Sequence, residues 1–243
     1  PRSTHSKTLI PSTTHYRNEK LKQIGMRFEA KYNDVEWDKK YRLAQIYYEH
    51  YGDLEVPQRF KTINGYEYMD LNLPSGLKWA TCNVGAESPE DYGSYYAWGM
   101  TVTPPNNAYF YENCDTYNVV MDDISGDVQY DAATANWGST WRMPTREERT
   151  ELRTYCTWEW TTRNGIVGYM ITGSNDSTIF LPAAGYRSMT DVPFFEGMYG
   201  DYWTSTPSKD LMRAYYFGFD DMNYFIDNTS FRYDGLTIRP VSE

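Results

Sequence analysis

The chain has 243 residues, enough for one large domain or two small ones. Aromatic residues make up 17% of it, a content that favours β-structure and contact surfaces over helical bundles. No apolar run approaches the roughly 18 residues of a membrane-spanning helix, so we expect no membrane span. No signal peptide is visible, and because the sequence begins at Pro1, removal of a leader stays an open alternative.

The net charge of −10 is unevenly distributed along the chain. Residues 1–62 carry 12 Lys and Arg and 8 Asp and Glu, whereas the remaining residues carry 11 and 25. This acidic body argues against nucleic acid as a partner, because phosphate groups are bound by positive charge. The basic N-terminal segment is suited to an acidic surface, including that of the body itself.

Three cysteines, Cys82, Cys114 and Cys156, cannot all pair with one another within the chain. None has the CxxC spacing of a zinc site, and the acidic residues 122–127 lack the spaced ligands of a calcium-binding EF-hand loop. We therefore predict buried free thiols, with a Cys82–Cys114 disulfide as the alternative. We predict no metal and no cofactor.

The first 63 residues predict an arm and a helical segment that precede a main domain at residues 64–243. Leu21, Ile24 and Phe28 are three and four residues apart, as on one face of a helix. A second helix is predicted with an aromatic-rich face of five residues: Trp37, Tyr41, Ala44, Tyr48 and Tyr51. Such faces need a covering surface, so we expect packing on the main domain or formation of a homo-oligomer.

Part of this segment also resembles a known repeat. The stretch from Trp37 through Tyr48-Glu-His-Tyr-Gly-Asp-Leu-Glu-Val-Pro-Gln-Arg-Phe60 is similar to the helicase-associated repeat. The likeness breaks off at Phe60. We therefore prefer a packing helix and turn to a nucleic-acid-binding role.

The main domain shows short strand patterns separated by turns. Residues 66–85 predict two strands joined by a Pro-Ser-Gly turn, and residues 92–99 predict a further aromatic strand. Thr145 and Glu148 have the spacing of a capping box and predict the start of a helix. Residues 169–181 predict a hairpin that turns on Gly173-Ser-Asn-Asp.

The C-terminal stretch alternates most clearly. The period of two predicts a strand in which Tyr215, Phe217 and Phe219 face the core, while Tyr216 and Asp220 face outward. Residues 223–234 are rich in Asn, Asp, Ser, Tyr and Phe, a composition suited to exposed recognition surfaces. A solvated hairpin at the edge of a sheet is the alternative. Residues 235–241 predict a closing strand with Leu236, Ile238 and Pro240 alternating.

Six motifs follow one another in the main domain: Pro74-Ser-Gly-Leu-Lys-Trp-Ala80, Tyr92-Gly-Ser-Tyr-Tyr-Ala-Trp-Gly99, Trp141-Arg-Met-Pro-Thr-Arg-Glu-Glu148, Leu181-Pro-Ala-Ala-Gly-Tyr-Arg187, Tyr202-Trp-Thr-Ser-Thr206 and Gly235-Leu-Thr-Ile-Arg-Pro-Val241. Together they resemble the Fibrobacter major-paralogous domain, from Gly65 to Val241. The resemblance implies an α+β, C-type-lectin-like fold of the formylglycine-generating-enzyme branch, with a twisted antiparallel sheet. Six residues are expected in its core: Trp141, Trp203, Phe217, Phe219, Ile238 and Val241.

That group includes the variable proteins of diversity-generating retroelements, which diversify a C-terminal region by randomising template adenines. The favoured template codon, AAC, can yield Asn, Asp, Tyr, Ser, Phe, Thr, Ile, Leu, Arg and Gly. Residues 220–234 fit this set at every position except Met222. Lys209 and Met212 do not fit and belong to invariant positions or to other codons. Ordinary β-loops have a similar composition.

The resemblance therefore implies a ligand-binding variable protein with a diversified C-terminal surface. Its target would be an unknown protein or glycan on a cell or phage surface, and its location a virion or cell surface. Twelve residues are expected to form the site: Asp210, Arg213, Tyr216, Asp220, Asp221, Asn223, Tyr224, Asp227, Asn228, Ser230, Phe231 and Tyr233. All but Asp210, Arg213 and Asp221 are expected to lie mostly exposed on one contiguous face, with Asp210 and Arg213 nearby.

Two other classes of function remain as alternatives. The first is a non-diversified adhesin of a cell surface or phage. The second, less favoured, is an enzyme of the formylglycine-generating kind, whose chemistry uses reactive cysteines late in the domain, whereas none follows Cys156 here. A calcium-dependent lectin is disfavoured because Trp203-Thr-Ser-Thr206 supplies no carboxylate ligand.

Overall fold

A computed structural model describes residues 61–189, 192–224 and 226–243, with the backbone alone at Lys61 and Ile226. The predicted N-terminal helices and the stretch that resembles the helicase-associated repeat lie outside these residues. The chain divides into two compact units, residues 1–59 and 60–243. Every element named below belongs to the second unit.

The described part of the chain is mostly β-structure, in three antiparallel sheets. The first sheet has the strand order β1-β2-β3-β10: β1 (Lys61–Ile63), β2 (Tyr66–Asp70), β3 (Lys78–Ala80) and β10 (Val241–Ser242). The second has the order β4-β5-β6: β4 (Thr157–Arg163), β5 (Ile166–Thr172) and β6 (Thr178–Pro182). The third has the order β7-β8-β9: β7 (Gly200–Pro207), β8 (Arg213–Phe219) and β9 (Ile226–Phe231).

Helices are few and short among the described residues: α1 (Ala132–Trp137), α2 (Arg149–Tyr155) and the 3-10 turns Pro105–Asn107 and Tyr111–Asn113. The predicted capping box precedes α2. The Thr145 N–H donates to Glu148 Oε2 at 2.9 Å, and the Glu148 N–H donates to Thr145 Oγ1 at 3.2 Å. This prediction is confirmed, although the regular helix begins only at Arg149.

Two hydrophobic clusters form most of the core, and strands β7 and β8 contribute to both. Tyr202, Phe217 and Phe219 pack in one cluster, whereas Trp203 and Ala214 pack in the other. The predicted core residues are all buried, which confirms the set: Trp141, Trp203, Phe217, Phe219, Ile238 and Val241.

Three strand predictions need correction. Tyr215 is only half-buried, and its ring lies 4.0 Å from the Arg146 guanidinium carbon, outside the core. Residues 92–99 form no strand and make one bridge, from Tyr96 to Leu236. The closing segment has regular strand only at β10 and is buried on both sides, so it does not alternate. The predicted strands at residues 66–85 and the hairpin at 169–181 are confirmed.

A buried arginine holds the closing segment in place. Arg239 is fully buried and donates from Nε to Asn83 Oδ1 at 2.8 Å. It also donates to the backbone carbonyls of Ala80 at 3.0 Å, Phe180 at 2.9 Å and Thr81. Burial lowers the pKa of Arg239. The planar guanidinium thus joins the end of β3 to β6, and a compact ammonium group cannot reach acceptors spread this widely.

We expect Arg239→Lys to lower the free energy of unfolding by about 3–5 kcal/mol, because it leaves buried acceptors without donors around a buried charge. Urea unfolding measures this loss. The same substitution at exposed Arg153 is the control, with an expected change within about 0.5 kcal/mol. Equal, small effects at both positions would contradict this role for Arg239.

Candidate functional site

A concave pocket of about 420 Å³ lies against the third sheet; we call it the C-terminal pocket. The sheet supplies five of its lining residues: Asp201 of β7, Arg213 and Tyr216 of β8, and Ser230 and Phe231 of β9. Two other segments supply the rest: Tyr186, Ser188 and Met189, and Tyr233, Asp234 and Leu236. Its volume is in the range of side-chain and small-ligand pockets, roughly 300–1,000 Å³.

Strand register places Asp201 in this pocket. Asp201 pairs with Gly218, and Trp203 pairs with Tyr216, so these four side-chain positions share one face of the sheet. A Cβ atom at Gly218 would lie 2.7 Å from Asp201 Oδ1 and 3.0 Å from the Tyr216 ring. Glycine at position 218 therefore leaves the space that the Asp201 carboxylate occupies.

Two carboxylates of the pocket are largely removed from water. Asp201 is 8% exposed, and its carboxylate accepts no hydrogen bond within the described part of the chain. Burial, and then the charge of Asp234, raise the pKa of Asp201 to about 7. This pKa is well above the ordinary value of about 3.9, so Asp201 changes its charge near neutral pH.

Asp234 is 4% exposed and only partly satisfied. Its Oδ2 accepts from the Ser230 hydroxyl at 2.6 Å and from the Phe231 N–H at 3.2 Å. Its Oδ1 is buried with no hydrogen-bond partner. Burial raises the pKa of Asp234, against the opposing effect of the nearby Ser188 and Ser230 hydroxyls.

Aromatic rings surround these acids. Phe231 and Tyr233 stack with their ring centroids 5.1 Å apart, and the Arg213 guanidinium carbon lies 4.0 Å from the Phe231 ring centroid. Tyr216 meets Trp203 edge-on at 6.5 Å. Burial, and then the charge of Asp201, raise the pKa of Tyr216, which keeps its phenol neutral at physiological pH. The pocket therefore combines rigid rings with buried negative charge.

The structure divides the twelve predicted site residues into groups. Five line the C-terminal pocket: Arg213, Tyr216, Ser230, Phe231 and Tyr233. Four of these were expected to be mostly exposed, and that expectation is wrong: Tyr233 is 6% exposed, and Tyr216, Ser230 and Phe231 are half-buried. They complete the walls of a cavity, so packing restricts their contact with solvent.

Most of the others lie outside the pocket on the open surface. The loop between β8 and β9, residues 220–224, carries exposed Asp221, Asn223 and Tyr224, whereas Asp220 is half-buried and accepts the Asn223 N–H at 2.6 Å. Asp210 and Asn228 are exposed too. The pairing of Tyr216 with Asn228 places Asn228 on the pocket's face of the sheet.

Asp227 faces the other way. It pairs with Phe217, and its carboxylate forms ion pairs with Arg146 at 2.7 Å and with Arg149. Arg149 is 1% exposed and also donates to the Tyr216 carbonyl at 3.2 Å. Burial raises the pKa of Asp227, but the hydrogen bonds from the two arginines outweigh it, and the pKa lies below its usual value. Asp227 therefore fixes β9 to the start of α2 and does not line the pocket.

Sequence reasoning missed the acids of the site. Asp201 stands directly before Tyr202 and Trp203, and an acidic residue at the start of an aromatic strand was the signal that could have revealed it. Asp234 lies at the end of the polar stretch, next to Gly235, and was read as part of a solvated segment. Asp201 and Asp234 are far apart in the sequence, so only the fold shows that they line the same pocket.

The three cysteines are free, which confirms that part of the prediction, but only Cys114 is buried as predicted, since Cys82 and Cys156 are half-buried. Burial raises the pKa of all three thiols, that of Cys156 to about 11. None lines the C-terminal pocket. In the described ranges, no group of three or more His, Cys, Asp or Glu side chains could hold a metal ion.

A protein-family model matches part of the chain. Residues 168–241 are similar to a family described as "Domain of unknown function (DUF8237)". The matched region runs from β5 to the first residue of β10 and includes every residue of the C-terminal pocket. Searches of curated proteins and of solved structures find no match. No helix of the described residues is long and apolar enough to span a bilayer.

The raised pKa of Asp201 predicts a pH-dependent stability. The folded chain retains a proton on Asp201 up to about pH 7, whereas the unfolded chain loses it near pH 3.9. This contribution to stability is complete below the unfolded pKa and is lost as the pH rises through 7. As the pH is raised from about 5 to about 8, the unmodified chain should lose this contribution, whereas the Asp201→Asn chain has no acid to titrate at position 201. The unfolding free energy of Asp201→Asn should therefore rise by about 1–3 kcal/mol relative to that of the unmodified chain over this range.

Urea unfolding at a series of pH values measures this difference. Asp176→Asn removes the same charge from an exposed turn and is the matched control, for which we expect no trend. An Asp201→Asn chain that is less stable at every pH would contradict a carboxylate whose pKa is raised by burial.

A second prediction concerns Asp227. Asp227→Asn should lower the unfolding free energy by about 1–2 kcal/mol, because buried Arg149 loses a counterion, while partial exposure of Asp227 and solvent screening limit the loss. The neighbouring exposed Asp221→Asn should change it by less than about 0.5 kcal/mol. Thermal unfolding compares the two, and equal effects would show that the ion pair contributes nothing.

Proposed function

We propose that the chain is a target-binding protein whose C-terminal sheet presents a diversified recognition surface on a stable scaffold, as in variable proteins of diversity-generating retroelements. One observation carries the proposal. Five residues from the segment expected to vary line a concave pocket, and exposed residues of the adjoining β8–β9 loop extend the surface beside it. The target is a protein or glycan of a cell or phage surface.

The composition of this surface supports binding. Tyr224 supplies a rigid amphipathic contact surface, and Phe231 supplies a rigid apolar one. Asn223, Asn228 and Ser230 supply short polar groups that adapt their hydrogen bonds to the partner. A few aromatic anchors surrounded by adaptable polar contacts are typical of the energetic centre of an interface. Because the residues of the β8–β9 loop lie outside the core, their replacement costs little stability.

The scaffold is proposed to be C-type-lectin-like. Three antiparallel sheets and the helix α2 behind its capping box accord with this proposal. The pairing of β10 with β3 supports it further, because the closing segment returns to the start of the domain. Because the start and the end of the domain are fixed in one sheet, surface residues of the β8–β9 hairpin can change while its backbone stays in place.

Binding is favoured over catalysis by the chemistry of the thiols. An enzyme of the formylglycine-generating kind needs a reactive thiolate, and thiolates form readily only where the thiol pKa is lowered. Burial acts in the opposite direction on all three cysteines of this chain. The acidic charge of residues 63–243 likewise disfavours nucleic acid as the target.

A display library tests the proposal. Four exposed positions are randomised with codons that end in C: Asp221, Asn223, Tyr224 and Asn228. We expect most members to remain folded, with melting temperatures within a few degrees of the parent, and selection on purified surface proteins and glycans to yield binders that the parent lacks.

A matched library at four buried positions is the control: Phe217, Arg232, Leu236 and Ile238. We expect most of its members to unfold, because core substitutions typically cost about 2–5 kcal/mol. The proposal fails if the exposed library unfolds like the buried one or yields no binders.

The retroelement itself is tested in the neighbouring DNA. A reverse-transcriptase gene and an adenine-rich near-copy of the 3′ end of the coding sequence are expected beside this gene. Their absence, together with a successful exposed library, would support the non-diversified adhesin instead.

A further inference from the structure

We propose that the C-terminal pocket binds a cationic group, the ammonium or guanidinium of a basic side chain on the protein target. This inference rests on the proposed function, since it names the chemistry that the same surface recognises. Asp201 and Asp234 supply the negative charge, and the rings of Tyr216, Phe231 and Tyr233 supply the walls.

The two acids of the pocket are buried and incompletely hydrogen-bonded. Both are more than nine-tenths buried, and both line the pocket. Asp234 Oδ1 is buried without a hydrogen-bond partner, and the Asp201 carboxylate accepts no hydrogen bond from the described residues. Buried carboxylates are normally paired or hydrogen-bonded, because an unpaired buried charge is costly. A donor that belongs to a ligand would satisfy both acids.

The cationic side chain in the pocket lining is engaged elsewhere. Arg213 lies in the pocket wall, but its guanidinium contacts the Asp210 carboxylate at 3.5 Å and the ring of Phe231. Within the described part of the chain, neither Asp201 nor Asp234 forms an ion pair. Arg213 partly offsets the charge of Asp234 but forms its ion pair with Asp210.

The volume and lining of the pocket suit a basic side chain. A volume of about 420 Å³ admits a charged head on a slender aliphatic stem, whereas a folded partner must remain outside. Aromatic faces attract cations, and the aliphatic stem of Lys or Arg packs well against rings. A basic side chain in the pocket therefore meets both kinds of complementary group, aromatic rings and carboxylates.

The charge of the pocket responds to pH, and this separates the proposal from a simple acidic surface. Asp201 loses its proton only near pH 7, so a cation should bind more tightly above that pH. The lining holds other ionisable groups besides Asp201. Burial raises the pKa of three tyrosines above 10: Tyr186, Tyr216 and Tyr233. Burial also raises the pKa of Asp234 above its ordinary value, and Arg213 supplies the positive charge of the lining.

The experiment measures binding of defined probes to the full chain by chemical-shift perturbation in NMR. n-Butylammonium and ethylguanidinium represent the charged heads, and n-pentanol is the neutral control of similar size. Capped tripeptides Gly-Lys-Gly and Gly-Arg-Gly represent a side chain on a protein, with Gly-Gln-Gly as their control. We expect both cations to bind, the basic peptides to bind at least as tightly, and the neutral probes not to bind.

Two further measurements decide whether the acids are responsible. In the unmodified chain, affinity should fall about tenfold between about pH 8 and pH 6, since Asp201 is then mostly protonated. Asp201→Asn should weaken binding at the higher pH by about tenfold or more, whereas the exposed Asp176→Asn should not change it. The pH series needs no variant and therefore stands even if a substituted chain fails to fold.

Several results would overturn the inference. These are the absence of binding by any cation, equal binding by n-pentanol, and an affinity that is independent of pH. A free amine that binds much more tightly than the basic peptides would also overturn it, because the ligand would then be a small molecule. Binders from the exposed library that ignore basic side chains would leave the proposed function intact while removing this inference.

Discussion

Strands β7 and β8 contribute buried side chains to the core from both faces, and the position of the candidate site depends on this. One face places Tyr202, Phe217 and Phe219 in one hydrophobic cluster, while the other places Trp203 in the second. Core packing is dense and resists displacement, so the strands are held rigidly from both sides. The C-terminal pocket lies against the second face, where Gly218 makes room for the Asp201 carboxylate. A preformed pocket on a rigid hairpin loses little entropy when a ligand binds.

The electrostatics of the pocket oppose folding in the absence of a ligand. Burial, and then the charge of Asp234, raise the pKa of Asp201, and burial also raises the pKa of Asp234. Two other buried charges are well satisfied: Arg239 has four acceptors, and Asp131 accepts four backbone N–H groups around the start of α1. Against this pattern, two poorly satisfied acids in a cavity indicate a functional site, since perturbed carboxylates concentrate at such sites.

Local patterns were the part of the fold that the sequence predicted well. The reciprocal bonds of Thr145 and Glu148 span three residues, and the hairpin at 169–181 is closed by its own turn. Contacts distant in sequence were not predicted: Arg149 meets Asp227 across 78 residues, and Arg239 meets Asn83 across 156. Alternation identified the two faces of β8, but it could not show that other segments cover the outer face, so half-buried pocket residues were expected to be exposed.

The most direct measurement of the central claim is a carbon NMR titration of the Asp201 carboxyl in the unliganded chain. Folding encloses this acid beside Asp234 on a sheet that is packed on both faces, and no described group donates a hydrogen bond to its carboxylate. This environment predicts a midpoint near pH 7. A midpoint near the ordinary value of about 4 would show that Asp201 is solvated or hydrogen-bonded, and would contradict the account of the pocket.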